Sequence, residues 1–383
     1  MSGALKRDEW ETVRLGDVCE INMGQSPDSK TYNSDGDGLP FYQGNADFGL
    51  IHPSATSWCS SPKKIAKKDD ILISVRAPIG ALNIADETCC IGRGLASITV
   101  NQELCSQKYV WYCLKSKVSE LNRKGTGSTF KSINKAGLTE TVFHIPHLDI
   151  QRQIADTLDK VTELITLRKT QLEKLDELVK ARFVEMFGEP KENPKGYNKR
   201  QLKETCKVIT GNTPSRAVSE YYGKHIEWIK TDNIVSGLIN PTTATEFLSE
   251  EGMAVGRTVE KDSILMACIA GSLSSIGRVC VTDRKVAFNQ QINAIVPNDY
   301  NILFLYVLLQ ISKEYLVEEI NMALKGILSK SKLEEKEFIV PPMEVQEEFA
   351  TFVEQTDKSK VIIQQSLDTL ETLKKSLMQE YFG

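Results

Sequence analysis

The sequence predicts an α+β protein written twice: two variable domains of mixed α/β structure, separated by two long antiparallel helices forming a coiled coil, with pseudo-twofold duplication. Three observations predict it. First, residues 138–188 and 333–383 match in character at a constant spacing of 195 positions. Phe143, Ile145, Pro146, Ile150 and Gln151 answer to Phe338, Val340, Pro341, Val345 and Gln346, and Leu172, Leu175, Phe187 and Gly188 return as Leu367, Leu370, Phe382 and Gly383. Second, each copy ends in about 40 residues whose apolar positions alternate at spacings of three and four, the heptad signature of a helix with one apolar seam. Third, the rest of each half carries short apolar runs bounded by turn residues and one stretch of helical spacing, without strict βαβ alternation.

Taken in order, residues 1–147 form the first variable domain. Its MGQSP segment at 23–27 is echoed by TGNTP at 210–214, and LPFYQGNADFGLI by IEWIKTDNIVSGLI, pairing Phe41 with Trp228. The run 71–75 (ILISV) reads as a strand, while Tyr109, Cys113, Leu114, Val118 and Leu121 carry helical spacing. The first long helix, 148–188, starts after Pro146, which ends the preceding strand. Its seam is Ile154, Leu158, Val161, Ile165, Leu172, Leu175, Val179 and Met186. The second variable domain, 189–342, repeats the plan with a strand at 264–270 (ILMACIA) and helical spacing through Phe304, Leu305, Leu308, Leu309, Tyr315 and Leu316. Lys68-Asp69 recurs as Lys261-Asp262, and Ile79-Gly80 as Ile276-Gly277. The second long helix, 343–383, follows Pro341-Pro342 and carries Phe349, Val353, Leu367, Leu370, Leu377 and Tyr381, with Ile362 and Ile363 beside the seam. At about 1.5 Å per residue each helix would run about 58 Å. A seam that long exceeds what one small domain covers, so each helix is expected to take its duplicate as partner.

Composition bounds the function. With 41% hydrophobic and 26% charged residues, the 383-residue chain is of globular type and long enough for more than one core. The longest apolar run, 302–311, falls short of the roughly 20 residues a membrane-spanning helix needs. The first ten residues hold no apolar signal core, so a cytoplasmic location without membrane contact is expected. Nine cysteines without CxxC or Cys/His ligand spacing read as small buried residues, not as a disulfide framework or a metal site. The net charge of −4 argues weakly against a nucleic-acid partner, but it is unevenly placed. Lys/Arg and Asp/Glu nearly balance in residues 1–147 (17 against 16) and 189–342 (19 against 19), while the last 41 residues hold 4 against 8, so acidity gathers in the terminal helix.

Motifs for catalysis are missing. There is no GxxxxGK[ST] loop, no HExxH, no Asn/Asp-Pro-Pro-aromatic tetrad, and the four histidines stand apart from cysteines and carboxylates at ligand spacing. What remains suits binding. Arg123, Lys124, Thr126, Ser128 and Lys131 join donors to glycines, as a phosphate-approaching loop would, with a solvated loop as the equal alternative. Gln43 and Asn45, Lys230, Asp232 and Asn233, and Asn289, Gln290 and Gln291 lie in amide-rich segments, and Asn or Gln can pair two-pronged with adenine. Arg76 and Arg93 can do the same with guanine. Lys325 and Lys330 are further cationic candidates. The run Lys63, Lys64, Lys67 and Lys68 reads first as the solvated flank of a strand.

The chain as a whole resembles the specificity subunits of type I restriction-modification systems. The likeness rests on GQSP and GNTP near the domain starts, on PFYQGN and EWIKTDN, and on IPHLDIQRQIADTLDKV and VPPMEVQEEFATFVEQTDK at the helix starts. The second copy departs from the first at Glu347, where Arg152 stands, and at Phe349, where Ile154 stands. The resemblance implies a non-catalytic DNA reader with two target-recognition domains and two conserved helical regions. Each domain would read half of a split target in double-stranded DNA, and the helices would set the spacer. Two methyltransferase subunits carrying S-adenosylmethionine would dock on this chain, followed by restriction subunits that use ATP and Mg for translocation; no cofactor is expected on the chain itself. Because the halves differ between their landmarks, the target would be asymmetric. Two other classes compete: a fused or stand-alone DNA-modifying enzyme, which the missing motifs oppose, and a coiled-coil scaffold without DNA specificity.

Overall fold

The computed structural model describes residues 10–126, 131–318, 320 and 326–383. The chain divides into two compact units, one formed by Met1–Thr166 together with Asp368–Gly383, the other by Leu167–Leu367. Each has the same internal plan.

In the first unit a four-stranded sheet runs in the order Cys19–Met23, Leu95–Val100, Ile71–Ser74, Leu82–Ile84, and in the second the order is Cys206–Thr210, Ile292–Pro297, Ile264–Ala267, Val279–Val281. All neighbours in both sheets are antiparallel. The ILIS and ILMA strands are buried on both faces, which explains why they read as continuous apolar runs instead of alternating. One parallel pairing also recurs, Leu39–Tyr42 with Cys89–Ile91 and Tyr222–Ile229 with Val286–Phe288. The repeated Lys-Asp step is a left-handed turn in both units, with φ of +70° at Asp69 and +61° at Asp262. Gly80 and Gly277 likewise sit at positive φ, which is why Ile-Gly returns. A helix covers each first sheet: Gln107–Lys124 in one unit, Ile302–Ile311 in the other. Their buried faces, Tyr109, Cys113, Leu114 and Leu121, and Phe304, Leu305, Leu308 and Leu309, belong to the two largest cores.

The two long helices are Leu148–Phe187 and Met343–Phe382, each of 40 residues. A short strand precedes each, Val142–Ile145 and Glu337–Ile339, paired antiparallel with Glu11–Arg14 and Lys199–Gln201. One buried glutamine fastens each helix start to its own domain. Gln151 accepts from Ser106 N at 2.9 Å and donates to the Pro146 carbonyl at 2.9 Å; Gln346 accepts from Asn301 N at 2.9 Å and donates to the Pro341 carbonyl at 2.8 Å. The first helix ends at Gly188, whose φ of +75° and bond from its N to the Val184 carbonyl (2.8 Å) form a left-handed C-cap.

Within the second unit the helices meet antiparallel: Lys360 pairs with Asp176, and Arg182 with Glu348 at 3.3 Å, so one number rises as the other falls. Val179, Phe349, Val353 and Leu367 are buried there, and Leu172 and Leu175 half-buried. Phe183 and Phe187 surround Phe349 at 5.4 and 5.6 Å between ring centroids and close onto Phe304. Within the first unit Ile154, Leu158, Val161 and Ile165 are buried, and Ile154 and Leu158 share a core that Leu377, Tyr381 and Phe382 cover; the Phe382 and Tyr109 rings lie 5.3 Å apart. Leu370 is half-buried. Ile362, expected beside the seam, is 68% exposed. No helix among the described residues is long and apolar enough to cross a membrane.

Candidate nucleic-acid interface

Each unit brings two loops together at the end of its first sheet, and the hydrogen bonds that join them are written twice. Gly24 N donates to the Leu95 carbonyl (2.9 Å) as Gly211 N does to that of Ile292 (3.0 Å), and Gln25 N reaches Ile91 (3.0 Å) as Asn212 N reaches Phe288 (3.2 Å). The second loop is tied by Gly92 N to the Tyr42 carbonyl (2.8 Å) and by Asn289 N to that of Ile229 (3.0 Å). Only glycine allows this approach. A Cβ on Gly24 would stand 2.1 Å from the Gly92 carbonyl oxygen, and one on Gly211 2.1 Å from that of Asn289. The glycines of GQSP and GNTP are therefore packing requirements of this loop pair.

On this frame Arg93 and Gln290 occupy the same place, one residue after the tied Gly92 and Asn289. Both are exposed. Arg93 Nε donates to Ser26 Oγ at 3.1 Å, and the Thr213 hydroxyl donates to Gln290 Oε1. Next to them the Ile91 N bonds the Lys64 carbonyl (3.0 Å) and the Phe288 N that of Arg257 (3.3 Å), so each loop pair is flanked by an exposed cation. Sequence reading did not single out Ser26, Thr213 or Arg257. The hydroxyls carried a signal, since both repeats of the motif have one; Arg257 carried none.

The other candidates divide. Gln43 is exposed and Asn45 half-buried at the first turn after Tyr42, where Asp47 caps the Gln43 N at 2.7 Å. Arg76 and Lys131 are exposed on adjoining loop segments, with Arg76 bridged to Ser132, and Ser132 to Thr126. Arg123 and Lys124 end the covering helix, where Lys124 pairs with Glu120 at 2.7 Å. Arg76, Arg123, Lys124, Thr126 and Lys131 lie near one another in the first unit. Ser128 and Lys325 lie outside the described residues. Lys330 begins the short helix Lys330–Glu335 and pairs with Glu334 at 3.5 Å. Asp232 is exposed, and Gln291 is half-buried.

Two of the predicted base readers are buried. Asn233 is 7% exposed; its Oδ1 accepts from Lys230 N (3.0 Å) while its amide donates to the Thr243 carbonyl and the Thr242 hydroxyl, both at 3.2 Å. Asn289 is 6% exposed, and both ends of its amide bind Gln291. A buried amide with all its partners inside the loop is a staple. Lys230 is drawn inward as well: it pairs with Glu246 and lies 5.1 Å from the Trp228 ring centre. Arg216 shares Glu246 at 2.6 Å and stacks on Tyr222 at 4.4 Å. Lys230, then Arg216, hold the Glu246 carboxyl below its ordinary range.

Comparison with known proteins agrees with this duplicated plan. The family described as "Type I restriction modification DNA specificity domain" matches residues 7–177 and again 194–372. The MjaIX specificity subunit of Methanocaldococcus jannaschii is 26% identical over 416 residues, 98% of this chain and 93% of that protein. A provisionally named MjaX specificity subunit from the same archaeon is 40% identical over 175 residues, 45% of this chain and 41% of that one, so this chain spans less than half of that relative. Among solved structures, the S subunit of a type I restriction-modification system from M. genitalium has a TM-score of 0.64 at 17% identity, covering 100% of this chain and 99% of that one, which shows a shared fold. With both of its copies matched, the chain belongs to the type I restriction-modification DNA specificity family.

Proposed function

We propose that this chain is the sequence-specific DNA-recognition subunit of a type I restriction-modification complex and performs no chemistry itself. The observation that carries the reading is the double family match laid over two units with the same loop-pair geometry. Residues 1–147 and 189–342 act as target-recognition domains, and 148–188 and 343–383 as the helical regions that set the unread spacer. Each domain reads one half of a bipartite target; because Arg93 faces out where Gln290 does, the halves differ. Two methyltransferase subunits bring S-adenosylmethionine, and restriction subunits bring ATP and Mg, all to a cytoplasmic complex. Isolated chain binds DNA modestly, since its domains are near charge balance, and the phosphate contacts behind that binding make it fall with added salt.

Sequencing the methylated bases of cells with and without this chain tests the proposal. A split, asymmetric motif should appear and vanish with it. Robust methylation or cleavage of DNA by the purified chain alone would overturn it in favour of a stand-alone enzyme, and a complex that assembles without sequence-selective DNA protection would favour a scaffold.

A further inference from the structure

We propose that Arg93 and Gln290 are one specificity position present twice, set to guanine in the first target-recognition domain and to adenine in the second. The inference rests on the DNA-reading function above and names residues for it. The equivalence is structural, because every backbone bond that fixes the loop around Arg93 has its counterpart around Gln290. Leu95 N closes on the Gly92 carbonyl at 3.0 Å as Ile292 N closes on that of Asn289 at 3.1 Å.

The side chains are held by the same device and offer different edges. The Ser26 hydroxyl accepts from the Nε of exposed Arg93, so the two terminal nitrogens of the guanidinium remain as the fork offered to a ligand. Two parallel donors match the O6 and N7 acceptors of guanine. The Thr213 hydroxyl donates to Oε1 of Gln290, leaving the second lone pair of that oxygen and the amide N–H groups to face out. One acceptor beside one donor matches N6 and N7 of adenine. A rigid side chain loses less freedom on binding, so a hydroxyl that pre-orients a surface Arg or Gln favours base reading over a loose phosphate contact. Phosphate contact falls instead to the flanking Lys64 and Arg257, which no sequence-reading geometry restrains. Asn289 and Gln291 serve beneath Gln290 as loop supports, while in the first unit Gly92 and Gly94 leave room for the Gln43 backbone, 3.0 Å and 2.3 Å from where their Cβ atoms would stand.

The test uses the full chain assembled with its methyltransferase subunits. The complex is incubated with a pool of random-sequence duplexes and the bound fraction is sequenced, for the native chain, Arg93→Gln, Gln290→Arg and Arg93→Ala. A good two-pronged contact discriminates by about 1–3 kcal/mol, or roughly 5- to 150-fold. Arg93→Gln should move one position of one half-site from guanine to adenine, Gln290→Arg should move one position of the other half-site from adenine to guanine, and Arg93→Ala should flatten the first position alone. Unchanged base preferences overturn the proposal, as does a uniform loss of binding to all sequences by a complex that still assembles, the result a phosphate contact gives. A native complex that enriches no split sequence at all would instead overturn the DNA-recognition function on which this inference rests.

Discussion

Nine cysteines are distributed through the two units and all are buried and free of disulfides. Burial disfavours the thiolate, pushing Cys89, Cys268 and Cys280 up to about 12 and Cys105 to about 11. At pH 8 those thiols stay protonated in the native protein, so a chromogenic disulfide reagent should titrate them only slowly, and all nine at once in denaturant. Fast native reaction at several sites would show that the interior is not closed as described. The loop glycines make a second residue-level prediction. Gly211→Ala should cost about 1–3 kcal/mol through forced overpacking, whereas Gly44→Ala, extended and with nothing within 4 Å of its Cβ, should leave the melting temperature unchanged. Legibility was poorest at this scale. Asn233, Asn289, Gln290 and Gln291 look alike in sequence, and only the backbone path decides that the first two turn inward and Gln290 outward.

The long helices were the most legible elements, because a three-four apolar spacing sustained over 40 residues admits few other structures. Along the seams Leu172, Leu175 and Leu370 are only half-buried, while burial is deepest where a domain core also contributes, as at Leu158 and Phe349. This is why the spacing missed Phe183: its partners, Phe304 and Phe349, come from another helix and the far copy, which no local periodicity encodes. Phe349→Ala should therefore lower stability by about 3–5 kcal/mol, and Val361→Ala, on the exposed side, by less than about 0.5 kcal/mol; denaturant melts of the two variants measure the difference. Gln346→Ala removes both ends of a buried amide bridge and should cost about 1–3 kcal/mol while leaving far-ultraviolet helicity intact. Loss of helicity instead would mean that the glutamine nucleates the helix.

At the scale of the molecule, the duplication was visible wherever geometry demands a particular residue: the left-handed Asp69 and Asp262, the close-packed Gly24 and Gly211, the anchoring Gln151 and Gln346. Between those points the two halves share sheet order without sharing sequence, since any apolar side chain of suitable volume fills a buried strand. Replacing residues 1–147 with the corresponding domain of another family member should change one half of the methylated motif and leave the other half and the spacer as they were; methylated-base sequencing would detect changes in both halves, which would defeat the modular reading. The first unit needs Asp368–Gly383 to cover its core, with Phe382 seated against Tyr109. A ribosome makes that cover only after Leu167–Leu367 has been translated, so the earlier-born unit must wait, partly undressed, for it, and a stop codon placed just ahead of Asp368 should injure the half encoded first.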